Sequence, residues 1–586
     1  MFMRYDLALN GGTVFDGTGA PRREASVAVK DGVVAAIGEG PFEAERVVDA
    51  RGLWVMPGFL DVHTHYDAEV EAAPALSESL IHGVTTTFMG SCSLGAVLSE
   101  PLDIADMYTR VEAMPREHVL PLFEQRKTWR TPREYREHLS TLPLGPNVAC
   151  FMGHSDLRCA AMGLERSVTE GEEPTSDELA RMKAWLSEGL DAGFLGLSCN
   201  TNRWDKLGGT RFRSKPLPST FARWEEIRSL VSVVRERGRV LQGIPNISAK
   251  YDTFLFFFES AGWWFRRALR TSLVSMVDVR SNRLIYKALG LFTRLVNRVL
   301  GGDVRFQALP MQFDLFVDGL DAPVFEELGA GTAALHLEEA AARRELLLTP
   351  SYRRWFRRQW TSVFAPKVFH RDFRQSRVVS APDASLVGLS FHEIAARRGR
   401  DVVEVFLDLC AEHGDALRWR TVIGNDRPHA VKEILAHPDT SPGFSDAGAH
   451  LRNMAFYNFP LLMLRLASHD GFIPVERAVH RLTGEIADFY GLDAGRLAVG
   501  CRADVAVVDP AALDESLDGI HEGTMPEFGG WMRLVRRNPA AVPYVLVNGR
   551  VSAERGELRD VGHGRFLGGG EVSREAAVRA AALEAA

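Results

Sequence analysis

The stretch that most constrains this chain is Pro57-Gly58-Phe59-Leu60-Asp61-Val62-His63-Thr64-His65. A short apolar run, Leu53-Trp54-Val55-Met56, leads through Pro-Gly into Phe59-Leu60-Asp61-Val62, which reads as a buried strand ending on two histidines. Alternate side chains of a strand share a face, so His63 and His65 point the same way, about 6.6 Å apart along the chain. Two imidazoles buried side by side without a partner are costly, so the pair reads as two ligands of one metal ion.

The rest of the chain is arranged around that strand. Residues 5–57 read as short strands with turns at Gly11-Gly12 and Asp31-Gly32, a small all-β unit. Beyond His65 the pattern alternates between helix and strand. Val84-Thr85-Thr86-Thr87-Phe88-Met89 is β-branched and strand-like, and further strands are expected at 147–154, 194–198 and 239–244. Helices are expected from Pro174-Thr175-Ser176-Asp177-Glu178 to Gly193 and from Trp224 to Arg237. Repeated β/α units imply a parallel sheet, and this many imply a (β/α)₈ TIM-like barrel with its chemistry where strands end.

Residues 250–302 break the rhythm with Phe254-Leu255-Phe256-Phe257-Phe258 and Trp263-Trp264-Phe265 beside several arginines. These runs are too short to span a bilayer. They are read as an insertion lining an apolar cleft, with a core helix or a membrane-surface helix as the other readings. The barrel rhythm returns at 304–309 and 419–424, and Asp446 lies in the Gly-rich segment 440–450. The last third returns to alternating strands around 495–509 and 544–551, so the two ends together are expected to make one small β-sandwich. The expected organisation is 1–57 and 491–565 for that sandwich, 58–490 for the barrel, and 566–586 for a terminal helix or tail.

A net charge of −7, with Lys and Arg spread along the chain, gives no reason to expect nucleic acid. The six cysteines show no CxxC and no disulfide spacing, and the first residues carry an acid where a signal peptide needs an apolar core. A cytoplasmic protein without a transmembrane segment is therefore expected.

Several further segments make the pattern specific: Gly83-Val84-Thr85-Thr86 leading to Gly90-Ser91-Cys92-Ser93, Gly153-His154-Ser155-Asp156-Leu157-Arg158, Gly196-Leu197-Ser198, Ser445-Asp446, Gly500-Cys501-Arg502-Ala503-Asp504 and Val547-Asn548-Gly549. With the HxH strand, they make the chain resemble the metal-dependent amidohydrolase superfamily, within it the N-acyl-D-amino-acid deacylase (D-aminoacylase) branch. The resemblance runs through nearly the whole chain. It implies a barrel, a β-sandwich built from both termini, and hydrolysis of an amide-type bond by a zinc-activated water. His63 and His65 match the first-strand metal pair, Cys92 the cysteine ligand of this branch, and Asp446 the aspartate that touches metal and acts as general acid/base.

The chain also departs from the family. The branch places a histidine after each of two middle strands, yet none occurs between His154 and His336, and the first position falls in Leu241-Gln242-Gly243-Ile244. Three arrangements are open: a metal on His63, His65 and Asp446, with Cys92 as a fourth ligand; substitute ligands from elsewhere; or weak or lost metal binding. The first is expected, with one zinc ion, a second being optional, and iron or manganese also suited to such ligands. His154 is a candidate to hydrogen-bond the tetrahedral oxygen, and Arg158, Arg203 and His450 are candidates to bind a substrate carboxylate or line the site. The expected partner is a small N-acyl substrate, and the expected assembly a homo-oligomer. Two rival readings are a degenerate barrel serving as a binding or scaffold protein and a peripheral membrane hydrolase of lipidic amides.

Overall fold

The computed structural model of the chain describes residues 4–246, 250–262, 266–362 and 367–570. Its core is TIM-barrel-like. Phe59–Asp61 lies beside Val84–Met89, which lies beside Asn147–Cys150. Met152–Gly153 continues that third strand and pairs with Gly196–Asn200, followed in turn by Val240–Ile244, Arg270–Leu273, Asp303–Ala308 and Thr440–Pro442. Phe444–Ala447 then pairs with His63–Thr64. All of these pairings are parallel. Hydrogen bonds cross the one-residue breaks, from the Val62 N–H to the Gly443 carbonyl at 2.7 Å and from the Phe151 N–H to the Met89 carbonyl at 2.9 Å. Val84–Met89 is buried along its whole length, as expected of a strand covered on both faces.

Strands from the two ends of the chain pair with each other. Trp54–Pro57 pairs with Val505–Val508, which pairs with Tyr544–Val547, so both ends belong to one nine-stranded sheet. That sheet surrounds a core of its own, which includes Leu9, Val27, Val505 and Leu546. Tyr5–Val14 partners three strands and shifts register between Leu9 and Gly12, an irregularity that bends a strand.

The expectation of an insertion at 250–302 is corrected. Lys250–Ser260 and Ile285–Val299 are helices, and between them Arg270–Leu273 is an ordinary strand of the parallel core. The aromatic side chains of this region that are buried pack into the core. The Phe256 ring lies 5.3 Å from Trp224, and Phe257 lies 4.9 Å from Phe292. A Cβ placed on Gly243 would stand 2.5 Å from the Phe256 ring, so the strand needs its glycine there to let the helix approach. Trp263, Trp264 and Phe265, like 571–586, fall outside the described residues.

The excursion lies further along the chain. Phe313–Asp318, Arg377–Ser380 and Arg418–Gly424 form an antiparallel three-stranded sheet, so the segment at 419–424 is not a barrel strand as its sequence suggested. Helices including Pro350–Trp360 and Val402–His413 pack on this sheet through Phe356, Trp360, Phe406 and Trp419.

Candidate metal centre

His63 and His65 stand where the first core strand ends, and their rings lie 5.3 Å apart. The Nε2 atoms of both face one oxygen of Asp446, Oδ1, at 3.6 Å from His63 and 3.5 Å from His65. Cys92 Sγ lies 3.1 Å from His63 Nε2. One donor atom each from His63, His65 and Cys92 falls within 4.8 Å of the others, and all three residues are buried. Donors held 2.0–2.2 Å from one ion in tetrahedral geometry lie about 3.3 Å from each other. The spacing of the two imidazoles and the carboxylate therefore fits a shared divalent cation.

The backbone around these groups is bent into an unusual shape. Cys92, Ser93, Asp446 and His450 have φ of 57°, 69°, 57° and 48°. Left-handed backbone at non-glycine residues is held only where surrounding structure enforces it, and it concentrates at functional sites.

A buried polar network backs the donors. His63 Nδ1 lies 2.7 Å from Gln307 Oε1, so Nδ1–H donates to the amide and leaves the Nε2 lone pair facing Asp446. Gln307 Nε2 donates to Ser272 Oγ at 3.1 Å, and the Tyr490 hydroxyl donates to the same oxygen at 2.9 Å. On the other side the Cys92 N–H donates to Gln242 Oε1 at 3.0 Å, while Gln242 Nε2 reaches Ser91 Oγ at 3.3 Å. Gln242 and Ser272 are register partners on neighbouring middle strands. An amide thus stands on the strand where the first middle-strand histidine was expected, with a hydroxyl beside it on the next strand.

Glu112 was not foreseen. Its Oε1 lies 3.5 Å from His65 Nδ1, its Oε2 lies 3.7 Å from His450 Nε2, and its carbonyl accepts the His450 N–H at 2.6 Å. His65 Nδ1 is buried without a hydrogen bond. Glu112 sits in an irregular link between the helices Pro101–Thr109 and Arg116–Arg126, so no periodicity marked it.

Burial dominates the electrostatics. It holds His63 down at about 4 and pushes the Cys92 thiol up to about 12. It also raises Glu112 and Asp61 each to about 8. For Asp446 burial works upward, but the hydrogen bond and charge of His65 outweigh it and hold the carboxyl well below its usual range. A neutral imidazole, an ionised carboxylate and a thiol whose proton only a strong positive charge would displace form a donor set suited to a divalent cation.

Four further candidates fall in different places. His450 is drawn to the centre through Glu112. His154 is not: its Nδ1 meets Ser219 Oγ and its Nε2 meets Glu226 Oε1, both at 2.9 Å, so both ring nitrogens are taken. Arg158 is fully buried, ion-paired with the same Glu226 and hydrogen-bonded to the carbonyls of Ser167 and Glu172. The expectations that His154 would meet a substrate oxygen and Arg158 a substrate carboxylate are corrected, because a shared buried acid turns both inward. Arg203 is half-exposed and pairs with Glu170 at 3.1 Å. Nearby, burial raises Asp205 to about 6, and Asn200 donates to it at 2.6 Å. Lys206 forms no salt bridge among the described residues, and burial lowers its pKa.

Residues 46–202 match the Amidohydrolase family. An uncharacterised protein of Mycobacterium tuberculosis is 47% identical over 97% of this chain and 96% of its own length. An N-acyl-D-aspartate deacylase of Alcaligenes xylosoxydans xylosoxydans is 33% identical over 87% of each chain. Among solved structures, the N-acyl-D-glutamate deacylase of Bordetella bronchiseptica, complexed with zinc and a phosphonate inhibitor, superposes with a TM-score of 0.63. The match covers 96% of this chain and 99% of that one at 23% identity, a likeness of fold.

Proposed function

Because the chain belongs to the amidohydrolase superfamily, in its D-aminoacylase-like branch, and is on that ground a metal-dependent amide hydrolase, we propose that its substrates are N-acyl amino acids. We read its core as a (β/α)₈ barrel with the reaction at the carboxyl ends of the strands. The observation that carries the proposal is the convergence of His63 Nε2, His65 Nε2 and Asp446 Oδ1 on one point. His63, His65 and Asp446 would hold a single divalent ion, zinc by preference, with Cys92 beside them. Gln242 and Ser272, on the strands where histidines for a tighter site would stand, support one ion rather than two.

A divalent ion there supplies Lewis acidity, acidifying water and polarising the scissile carbonyl. Asp446 is positioned to take the proton of the attacking water and return it to the leaving amine. Gln307 fixes the His63 tautomer, and Glu112 orients His65. Arg203 and Lys206, on the loop after Gly196–Asn200, are proposed as cations for a substrate carboxylate. The absence of disulfides among the six cysteines supports a reducing compartment, the cytoplasm.

The test is metal content per chain measured beside turnover of a panel of D- and L-N-acyl amino acids. His63→Ala/His65→Ala should lose both the metal and the activity. Asp446→Asn should remain folded and lose about 10²–10⁴ in kcat. Undiminished metal content in the histidine double variant, or wild-type turnover in Asp446→Asn, would overturn the assignment.

A further inference from the structure

Most of the large apolar side chains left exposed among the described residues are single and scattered. Six are gathered in one place, on or beside the neighbouring helices Lys250–Ser260 and Ile285–Val299: Phe254, Phe258, Leu284, Leu291, Leu295 and Val299. Phe292 joins the two helices, with its ring 4.9 Å from both Phe254 and Phe257. The second helix buries Tyr286, Gly290, Thr293 and Val296 against the protein. Its opposite face therefore carries Leu284, Leu291, Leu295 and Val299, at the spacing of one helical stripe. Leu291 is 73% exposed and Val299 68% exposed, so none of the described residues covers that stripe.

The charge around the stripe is as uneven as its hydropathy. Residues 261–300 contain eight Lys and Arg against a single acid, Asp278, in a chain whose net charge is −7. Asp278 is itself buried and held by Arg283 and Arg427. Arg267, Arg294 and Arg298 are exposed and form no ion pair among the described residues. Arg294 and Arg298 stand beside the leucines on the same helix.

We propose that this face docks on the surface of an anionic phospholipid bilayer. Leucine and phenylalanine side chains enter the interface between headgroups and acyl chains, while arginines keep their charge at the lipid phosphates with their stems along apolar surface. A second copy of the chain fits less well, since a two-fold contact would set this cationic face against itself. No helix among the described residues is long and apolar enough to cross a membrane, so the contact is with the surface only. The inference rests on this face alone and is independent of the hydrolase reading.

The test is co-sedimentation of the full chain with phosphatidylcholine vesicles, with and without phosphatidylglycerol, at low and high salt. Binding should require phosphatidylglycerol and be released by salt. Each exposed cation contributes about fivefold near an anionic surface, so Arg294→Gln/Arg298→Gln should weaken binding about 25-fold. Leu291→Gln/Leu295→Gln should weaken it by at least about tenfold. Circular dichroism and thermal unfolding check that both variants, altered only at exposed positions, stay folded. No binding at low salt, equal binding to phosphatidylcholine alone, or binding that neither variant weakens would overturn the proposal. So would self-association of the wild type that the leucine variant abolishes, which would assign the face to a second copy.

Discussion

Replacing Gln307 with leucine tests the proposed metal centre and the way it holds His63. Gln307 is fully buried, and its amide joins His63 Nδ1 to Ser272 Oγ. Leucine keeps most of the volume and removes both hydrogen bonds. Ser272 retains the Tyr490 hydroxyl, so the unsatisfied group is the His63 Nδ1–H. A buried donor without a partner costs about 1–3 kcal/mol. Loss of the outer partner of a ligating histidine lowers metal affinity about 10–100-fold, equivalent to about 1.4–2.7 kcal/mol, so two independent scales agree. Gln307→Leu should therefore bind zinc about 10–100-fold more weakly, as read by competition with a chelator. Gln307→Glu, which accepts the same proton with an ionised oxygen, should bind at least as tightly as the wild type. If Gln307→Leu keeps its affinity within about twofold while remaining folded, His63 is not held through its outer nitrogen, or the metal is not on His63.

Three other outcomes follow from the packing. Phe256→Ala should lose about 3–5 kcal/mol in denaturant unfolding, while the ratio of long- to short-chain acyl turnover stays as it was; a changed ratio would restore the cleft reading of that residue. His154→Ala should act on stability, by about 3–5 kcal/mol, because it leaves Glu226 and Arg158 in a broken buried network; a large fall in kcat of the folded protein with unchanged stability would return His154 to the reaction. Burial holds His370 down at about 4, with its Nδ1 accepting the Asp372 N–H at 2.9 Å. The native state thus binds fewer protons there than the unfolded chain, whose histidine titrates near 6.5, and stability should fall as pH drops from about 6.5 to about 4. In His370→Gln that loss should be shallower when urea midpoints are compared across the range, and an unchanged slope would refute the assignment.

The sequence was most informative where the needed arrangement is local. The spacing of His63 and His65 sets their common face through strand geometry alone, and the β-branched run at 84–89 read as a strand, which it is. Asp446 and Cys92 were legible as members of a pattern, and each lies within 4 Å of His63 Nε2. Residues 250–302 misled because aromatic density is the same whether the rings line a cleft or cover a barrel strand; only the pairing of Arg270–Leu273 on both sides shows which. His154 and Arg158 misled for a related reason. A motif gives the identity of a side chain, while its direction depended on Glu226, some 70 residues away, which claims both.

What the sequence by itself determined, then, is the set of groups carried by a strand end and the alternation that builds the core, since both follow from dihedral geometry over a few residues. What only the tertiary structure decided is which distant groups answer them. Asp446 reaches His63 through the pairing of Phe444–Ala447 with His63–Thr64, Gln307 through a strand midway along the chain, and Glu112 through an irregular link with no pattern of its own. The distances that bring those groups together depend on how strands nearly four hundred residues apart come to lie side by side, and no local preference encodes that.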